Sequence, residues 1–268
     1  MMRLLLAALA LIGVAGCVST TTTSTTAGDS RGPREIVTAS DQTDPDKRAR
    51  VRLELAAAYF GRGQGTTALD EVKLAIAAKP DMPEAYNLRG LIYAGLGEAV
   101  LAEESFQRAL QLNARDADTM HNYGFFLCQQ RRFPEADRQF DAALAQPQYR
   151  DTSRTLLAQG ICQARGGLWV QAERTLVRSY ELDPANPTTA FNLSDVLYRR
   201  GEYERARFYI GRVNANPDLS NAQTLWLAAR IERRLGNTGA LQNLGRQLRD
   251  RFPQSPEALN FDSGRFDE

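Results

Sequence analysis

The most regular feature of the chain is an alanine followed four residues later by an apolar residue, repeated between residues 68 and 210. The five copies are ALDEV from Ala68, AEESF from Ala102, ADRQF from Ala136, AERTL from Ala172 and ARFYI from Ala206. Successive copies are 34, 34, 36 and 34 residues apart. Twelve residues before each alanine stands a small residue, namely Ala56, Gly90, Gly124, Gly160 and Ser194. Because apolar residues four apart share one face of a helix, each copy predicts a second helix, and the small residue predicts a first helix packed closely against it.

A unit of about 34 residues with these features is typical of the tetratricopeptide repeat, in which pairs of antiparallel helices stack. The predicted turn between the two helices contains Gly63, Gly97, Gly167 and Gly201, with Arg131 as the exception, and prolines at 80, 147, 184 and 217 close the units. One helix pair cannot bury its apolar face alone, so neighbouring pairs supply the core. The sequence predicts an all-α fold, a tetratricopeptide-repeat solenoid of about six helix pairs forming a right-handed superhelix.

The predicted solenoid spans residues 47–259. Its repeats lie at approximately 49–82, 83–116, 117–152, 153–186 and 187–221, followed by a capping pair at 222–255. In the cap, Leu241 and Gly245 stand where the other repeats have alanine and a large apolar residue. We expect residues 260–268 to be a frayed tail.

The N-terminal stretch MMRLLLAALALIGVAGC is predicted to be a signal peptide over residues 1–16 followed by a lipidated Cys17. Its apolar run, from Leu4 to Gly16, is shorter than the roughly 20 residues that cross a bilayer. The ending Val-Ala-Gly-Cys resembles a bacterial lipobox, and the alternative is an ordinary signal peptide with a chance cysteine. Val18, rather than Asp, follows the cysteine, which favours the outer membrane by analogy with sorting rules. Residues 17–46 are rich in Ser, Thr, Gly and Pro and predict a flexible linker.

The charge of the chain argues against nucleic-acid binding. The sequence has 33 basic and 32 acidic residues, and removal of Arg3 with the leader balances them. A non-specific grip on nucleic acid needs a concentrated basic face, and no basic block follows the N-terminus. We therefore predict protein partners and no nucleic acid.

The segment HNYGFFLCQQ, residues 121–130, contains the only histidine, His121, and one of three cysteines, Cys128. A thiol nucleophile and its base must lie within about 3 Å of each other. Seven residues along one helix separate these two side chains by about 10.5 Å. A single histidine also cannot supply a Ser-His-Asp set or a metal cluster. We predict that the protein is not an enzyme and has no cofactor and no metal site.

With Cys17 lipidated, Cys128 and Cys162 remain as an even pair in an oxidising periplasm. They lie in the first helices of the third and fourth repeats, which are neighbours in a solenoid. Our hypothesis is a Cys128–Cys162 disulfide that joins these repeats. The alternative is two buried free thiols, because cysteine is common in protein interiors.

The sequence resembles a known family. The stretch HNYGFFLC, with YNLRGLIYAGLGEAVLAEESFQRALQLN before it and GICQARGG after it, is similar to type IV pilus biogenesis lipoproteins of the PilF/PilW type over residues 50–215. His121 stands where that family usually has Asn, and Arg89 where the generic repeat has Leu. The resemblance implies a pilotin, lipid-anchored on the periplasmic face of the outer membrane, that binds the pilus secretin and promotes its localisation and multimerisation. Pilus assembly and twitching motility would depend on it.

First helices of such arrays line a concave face through the positions three before, one after and four after the small residue. The predicted partner-binding groove consists of Leu53, Ala57, Phe60, Asn87, Leu91, His121, Asn122, Phe125, Leu157, Phe191, Asn192 and Tyr198. Ala94, Cys128, Ile161, Ala164 and Asp195 occupy further positions of this kind. The mostly apolar set suits an extended strand or an amphipathic helix of a partner. We expect the secretin to bind at the N-terminal end, between Leu53 and Leu91, which lies nearest the lipid. The alternative is that several of these residues pack within the array.

Other roles remain open at the level of sequence. Some family members are described as stabilising the pilus fibre. A tetratricopeptide scaffold could also serve another envelope assembly machine, and we expect the domain to be monomeric in any of these roles.

Overall fold

The computed structural model describes residues 44–266, and these fold into thirteen helices with no strand among them. The first helices of the pairs are α1 (Pro45–Gly61), α3 (Pro83–Gly95), α5 (Ala117–Gln129), α7 (Thr152–Arg165), α9 (Pro187–Arg199) and α11 (Ala222–Arg234). The second helices are α2 (Gly65–Ala78), α4 (Ala99–Leu112), α6 (Phe133–Leu144), α8 (Trp169–Leu182), α10 (Tyr203–Asn214) and α12 (Thr238–Arg251). One further helix, α13 (Pro256–Asp262), follows. The predicted all-α tetratricopeptide solenoid is confirmed.

Close packing inside each pair follows from the two small positions of the repeat. The second-helix alanines, from Ala68 to Ala206, are completely buried. On the first helix, a Cβ added to Gly90 would stand 2.7 Å from the Phe106 ring, and one added to Gly160 would stand 2.6 Å from Leu176. Glycine at these positions therefore leaves the space that the large apolar residue of the second helix fills.

Polar contacts join consecutive repeats at one recurring position. The carboxylate that follows the second-helix alanine is bound by the next repeat in three cases: Glu103 by Arg132 at 2.7 Å, Asp137 by Gln159 at 2.8 Å and Gln163 at 2.7 Å, and Glu173 by Arg205 at 2.7 Å. The hydrogen bond from Arg132 lowers the pKa of Glu103, and a second one comes from the Tyr123 hydroxyl at 2.6 Å. These half-buried contacts fix the register between neighbours in addition to apolar stacking.

The turn of the third pair departs from the glycine pattern. Arg131 has a φ of 60°, in the left-handed region where the other pairs place glycine. A non-glycine residue is strained there. The chain nevertheless continues into α6 as in the other repeats, since Arg132 N donates to Leu127 O at 2.9 Å.

The C-terminal boundary predicted at residue 259 needs correction. Residues 256–262 form α13, and Phe266 is buried against α11, so residues 260–266 belong to the folded unit. The packing of α13 follows from Gly245, which occupies in α12 the position that Phe106 occupies in α4 and Phe140 in α6. A Cβ at Gly245 would lie 2.3 Å from the ring of Phe261, so α13 supplies the aromatic side chain that α12 lacks.

The N-terminal boundary also differs slightly from the prediction. Helix α1 begins at Pro45, and the Asp44 side chain caps it by accepting a hydrogen bond from Asp46 N at 3.0 Å. The predicted signal peptide, the lipidation site Cys17 and the linker up to residue 43 lie outside the described residues. Between residues 44 and 266, no helix combines the length and the apolar character needed to cross a membrane.

Candidate partner-binding groove

The structure brings concave-face residues of three consecutive repeats into one pocket. We call it the central pocket; its volume is about 390 Å³, and it is lined by Leu91, His121, Asn122, Phe125, Arg154, Leu157, Ala158 and Ile161. These side chains come from α3, α5 and α7. Five of the eight are apolar, and Phe125 is 45% exposed although it is a large aromatic residue. An exposed aromatic residue beside Leu91, Leu157 and Ile161 offers apolar surface to a partner.

The predicted groove residues of repeat five lie outside the central pocket. Asn192 contributes to two neighbouring pockets, one with Ile161, Ala164, Trp169 and Asp195, and one with Phe191. Tyr198 is buried, and its ring lies beside Tyr203 and under the guanidinium of Arg230. The concave face is therefore a row of adjoining depressions, of which the central pocket has the most apolar set of side chains.

The N-terminal part of the predicted groove contributes less open surface. Leu53 and Phe60 are half-buried and pack against the apolar core of the first two repeats, whereas Ala57 is exposed. The Phe60 ring also lies within 3.4 Å of a Cβ placed on Gly95. That the secretin binds at the N-terminal part of the groove, from Leu53 to Leu91, stays a prediction. Of the predicted groove residues in this stretch, only Leu91 lines the central pocket.

Polar groups border the central pocket on two sides. Asn122 Nδ2 donates to Asn87 Oδ1 at 3.1 Å, which joins α5 to α3 across the concave face. Arg154 is exposed, and its nearest carboxylate, Asp151, lies 3.7 Å away. Side-chain amides can accept and donate hydrogen bonds at the same time. The two amides can therefore form hydrogen bonds with the backbone of a bound segment, and Arg154 can form an ion pair with an acidic group of that segment.

His121 forms part of the pocket wall but is itself buried, with 5% of its surface exposed. Its Nδ1 lies 2.8 Å from Thr155 Oγ1, and Thr155 Oγ1 lies 2.6 Å from the Tyr149 hydroxyl. The ring packs edge-on against Phe140 at 5.9 Å between centroids. Burial, reinforced by the positive charge of Arg154, lowers the pKa of His121 to about 4, although Asp151 opposes the shift. The imidazole is therefore neutral at pH 7 and serves as a hydrogen-bonded wall residue.

This burial predicts a specific pH dependence of stability. An unfolded histidine has a pKa near 6.5, so the unfolded chain binds more protons than the folded chain between about pH 6.5 and pH 4. As the pH is lowered from about 6.5 to 4, the free energy of unfolding is therefore expected to decrease. About 3 kcal/mol of the decrease at pH 4 is attributable to His121. Urea titrations at pH 7 and pH 4 measure it. His121→Asn removes the group and should show a fall smaller by that amount; equal falls for the two proteins would contradict the assignment.

The two cysteines belong to a buried apolar cluster that also contains Leu127 and Phe140. The structure joins Cys128 of α5 to Cys162 of α7, with 5.7 Å between their Cα atoms, and both are buried. A bonded sulfur cannot act as a thiolate nucleophile. Among the described residues, no three His, Cys, Asp or Glu side chains are placed to hold a metal ion.

Arg154 and Ala158 line the pocket but are absent from the predicted groove. Both are on α7, where Leu157 and Ile161 were predicted. Arg154 stands three residues before Leu157, and residues three apart share a helix face. Extending the concave positions by one turn towards the helix N-terminus would have included it.

A solenoid of helix pairs with this repeat length and an apolar concave face is the architecture of tetratricopeptide proteins. Proteins of this class act by binding other proteins. A family model described as tetratricopeptide repeat matches residues 47–117 and 127–187. The chain is 27% identical to the type IV pilus assembly protein PilF of Pseudomonas aeruginosa over 259 residues, which are 97% of each chain.

Two solved structures are similar over most of the chain. The crystal structure of PilW, described as a widely conserved type IV pilus biogenesis factor, has 30% sequence identity and a TM-score of 0.74 over 80% of this chain and 97% of its own. The structure of Pseudomonas aeruginosa PilF has 26% identity and a TM-score of 0.71, covering 82% of this chain and 99% of that one. The chain therefore belongs to the PilF/PilW family of tetratricopeptide proteins.

Proposed function

We propose that this protein is a pilotin of the type IV pilus, a lipid-anchored scaffold that binds the pilus secretin and promotes its localisation and multimerisation in the outer membrane. The observation that carries the proposal is the central pocket, which concave-face residues of three repeats build in a member of the PilF/PilW family. The names of PilF and PilW connect those relatives with pilus assembly and biogenesis.

The secretin would contribute a short segment with apolar side chains. Phe125, Leu91 and Leu157 would contact an apolar anchor, and the amides of Asn87 and Asn122 would bind its backbone. An extended strand or an amphipathic helix presents such anchors at regular spacing. Burial of exposed apolar side chains would supply most of the binding free energy.

The lipid at Cys17 would hold the solenoid at the periplasmic face of the outer membrane. Two or more acyl chains on one residue give stable anchoring. The composition of the stretch between Cys17 and α1 predicts a flexible linker, and a flexible chain of about 28 residues would have a root-mean-square span of roughly 30 Å. The solenoid could thus reach a secretin subunit while staying attached to the membrane.

Deletion of the gene tests this function. Heat-stable secretin multimers should disappear from the outer-membrane fraction and return with the wild-type chain. Cys17→Ser, compared at equal protein level by immunoblot, should fail to restore them. If multimers persist while surface pili are lost, the protein stabilises fibres instead. If multimers and pili both persist, the proposed function is wrong.

A further inference from the structure

The concave face of the last helix pair is already occupied by the chain itself. Helix α11 presents Trp226, Arg230 and Arg233 at the positions three before, one after and four after Ala229, its small residue. The first two of these positions contribute side chains to the central pocket in earlier repeats. The side chain of Phe266 lies against Trp226 and Arg233, its backbone carbonyl meets Arg230, and only 8% of the residue's surface is exposed.

Each of the three residues makes a distinct contact with Phe266. The Trp226 ring is stacked on the phenyl ring, with 4.9 Å between centroids. The Arg233 guanidinium lies 4.5 Å from the centroid of the same ring. Arg230 Nε donates a hydrogen bond to Phe266 O at 3.0 Å. An aromatic side chain and a backbone carbonyl are thus recognised together.

The backbone reverses after α13 to make these contacts possible. Gly264 has a φ of 69°, a value that favours glycine, and Arg265 N donates to Asn260 O at 2.9 Å. Phe261 packs over Gly245, and its ring also meets the Phe266 ring edge-on, with 5.4 Å between centroids. Residues 264–266 lie on the concave face as a bound peptide would.

We propose that Trp226, Arg230 and Arg233 form a second peptide-binding site, specific for an aromatic side chain, which residues 264–266 occupy in cis. A partner segment with an aromatic residue binds the same site after displacing this tail. Stacking and cation–π contacts select the ring, and the Arg230 hydrogen bond selects a backbone carbonyl beside it. Arg230 also lies over Tyr198, 4.6 Å from its centroid, which connects the site with the groove of repeat five.

The tethered tail would compete strongly with a free segment. Because residues 264–266 are joined to the site by a short stretch of chain, their effective concentration at the site is of the order of millimolar. A free peptide with an intrinsic Kd of about 0.1 mM would therefore bind the intact chain about 10-fold more weakly than a chain without the tail. If residues 264–266 serve only to complete the fold, a chain that lacks them will not bind a free peptide at this place.

The probe is a fluorescein-labelled peptide of residues 262–268, and the readout is its fluorescence anisotropy. We expect it to bind a variant that ends at Ser263 at least 10-fold more tightly than it binds the intact chain. The corresponding peptide with Phe266→Ala should bind that variant at least 10-fold more weakly. In the shortened variant, Arg230→Gln should weaken binding, whereas Arg246→Gln, at an exposed position on α12, should not.

The same peptide titration with the full-length Phe266→Ala variant tests the site in a chain that has not been shortened. Circular dichroism verifies that both variants keep their helices. Equal affinity of the probe for the intact and opened chains would overturn the proposal. Equal affinity of the Phe and Ala peptides would overturn it as well. Neither result depends on the secretin, so this test is separate from that of the proposed function.

Discussion

Replacement of both Cys128 and Cys162 by alanine is expected to lower the free energy of unfolding by about 3 to 4 kcal/mol. The bond closes a loop with a sequence separation of 34 residues, and a cross-link of that length restricts the unfolded chain. It also joins α5 to α7, the helices that carry most of the central pocket. Urea denaturation of the oxidised wild-type and double-variant proteins, followed by circular dichroism, measures the difference.

Reduction of the wild-type protein provides the control, because it breaks the S–S bond and opens the loop without substituting any residue. Reduced wild type and the double variant should unfold at similar urea concentrations, both below oxidised wild type. A midpoint that neither reduction nor substitution changes would show that the loop closure does not contribute to stability.

Phe140→Ala is expected to destabilise the protein by about 3 to 5 kcal/mol. Phe140 is fully buried, and its ring lies 3.0 Å from a Cβ placed on Gly124. Removal of the ring leaves a cavity between α5 and α6, because the glycine has no side chain to fill it. The edge contact with His121 is lost at the same time. The free energy of unfolding from urea titration gives the magnitude.

Phe208→Ala is the matched control for this substitution. Phe208 is on α10 and is 57% exposed, so its replacement should change stability by about 0.5 kcal/mol or less. Similar losses for the two variants would contradict the packing role assigned to the large apolar residue of the second helix.

The sequence predicts the repeated part of the fold because each repeat constrains the same few positions. Ala102 and Ala136 must be small where two helices meet, and Gly90 and Gly124 must leave room for Phe106 and Phe140. These requirements recur at nearly constant spacing, so a single chain contains its own internal comparison. The pocket residues Leu91, Phe125 and Leu157 follow from the same register.

The remaining features depend on contacts that occur once. Nothing periodic connects Gly245 with Phe261, so the packing of α13 could not be predicted from the spacing of residues. Phe266 reaches α11 only through a reversal at Gly264. His121 was predicted in the groove from its register, but the burial that sets its pKa depends on Thr155 and Phe140, which belong to other helices.

The concave face of the central pocket and the outer face of α10 each expose one phenylalanine, and this pair gives the most direct test of partner binding. Phe125→Glu and Phe208→Glu place the same charge on the two faces. The affinity of each variant for the purified secretin subunit would be measured by biolayer interferometry in detergent with the mature lipidated chain. Phe125→Glu should weaken binding by about 10-fold or more, and Phe208→Glu should leave it within about 2-fold. Unchanged binding of Phe125→Glu, or equal losses for both variants, would contradict secretin recognition through the groove.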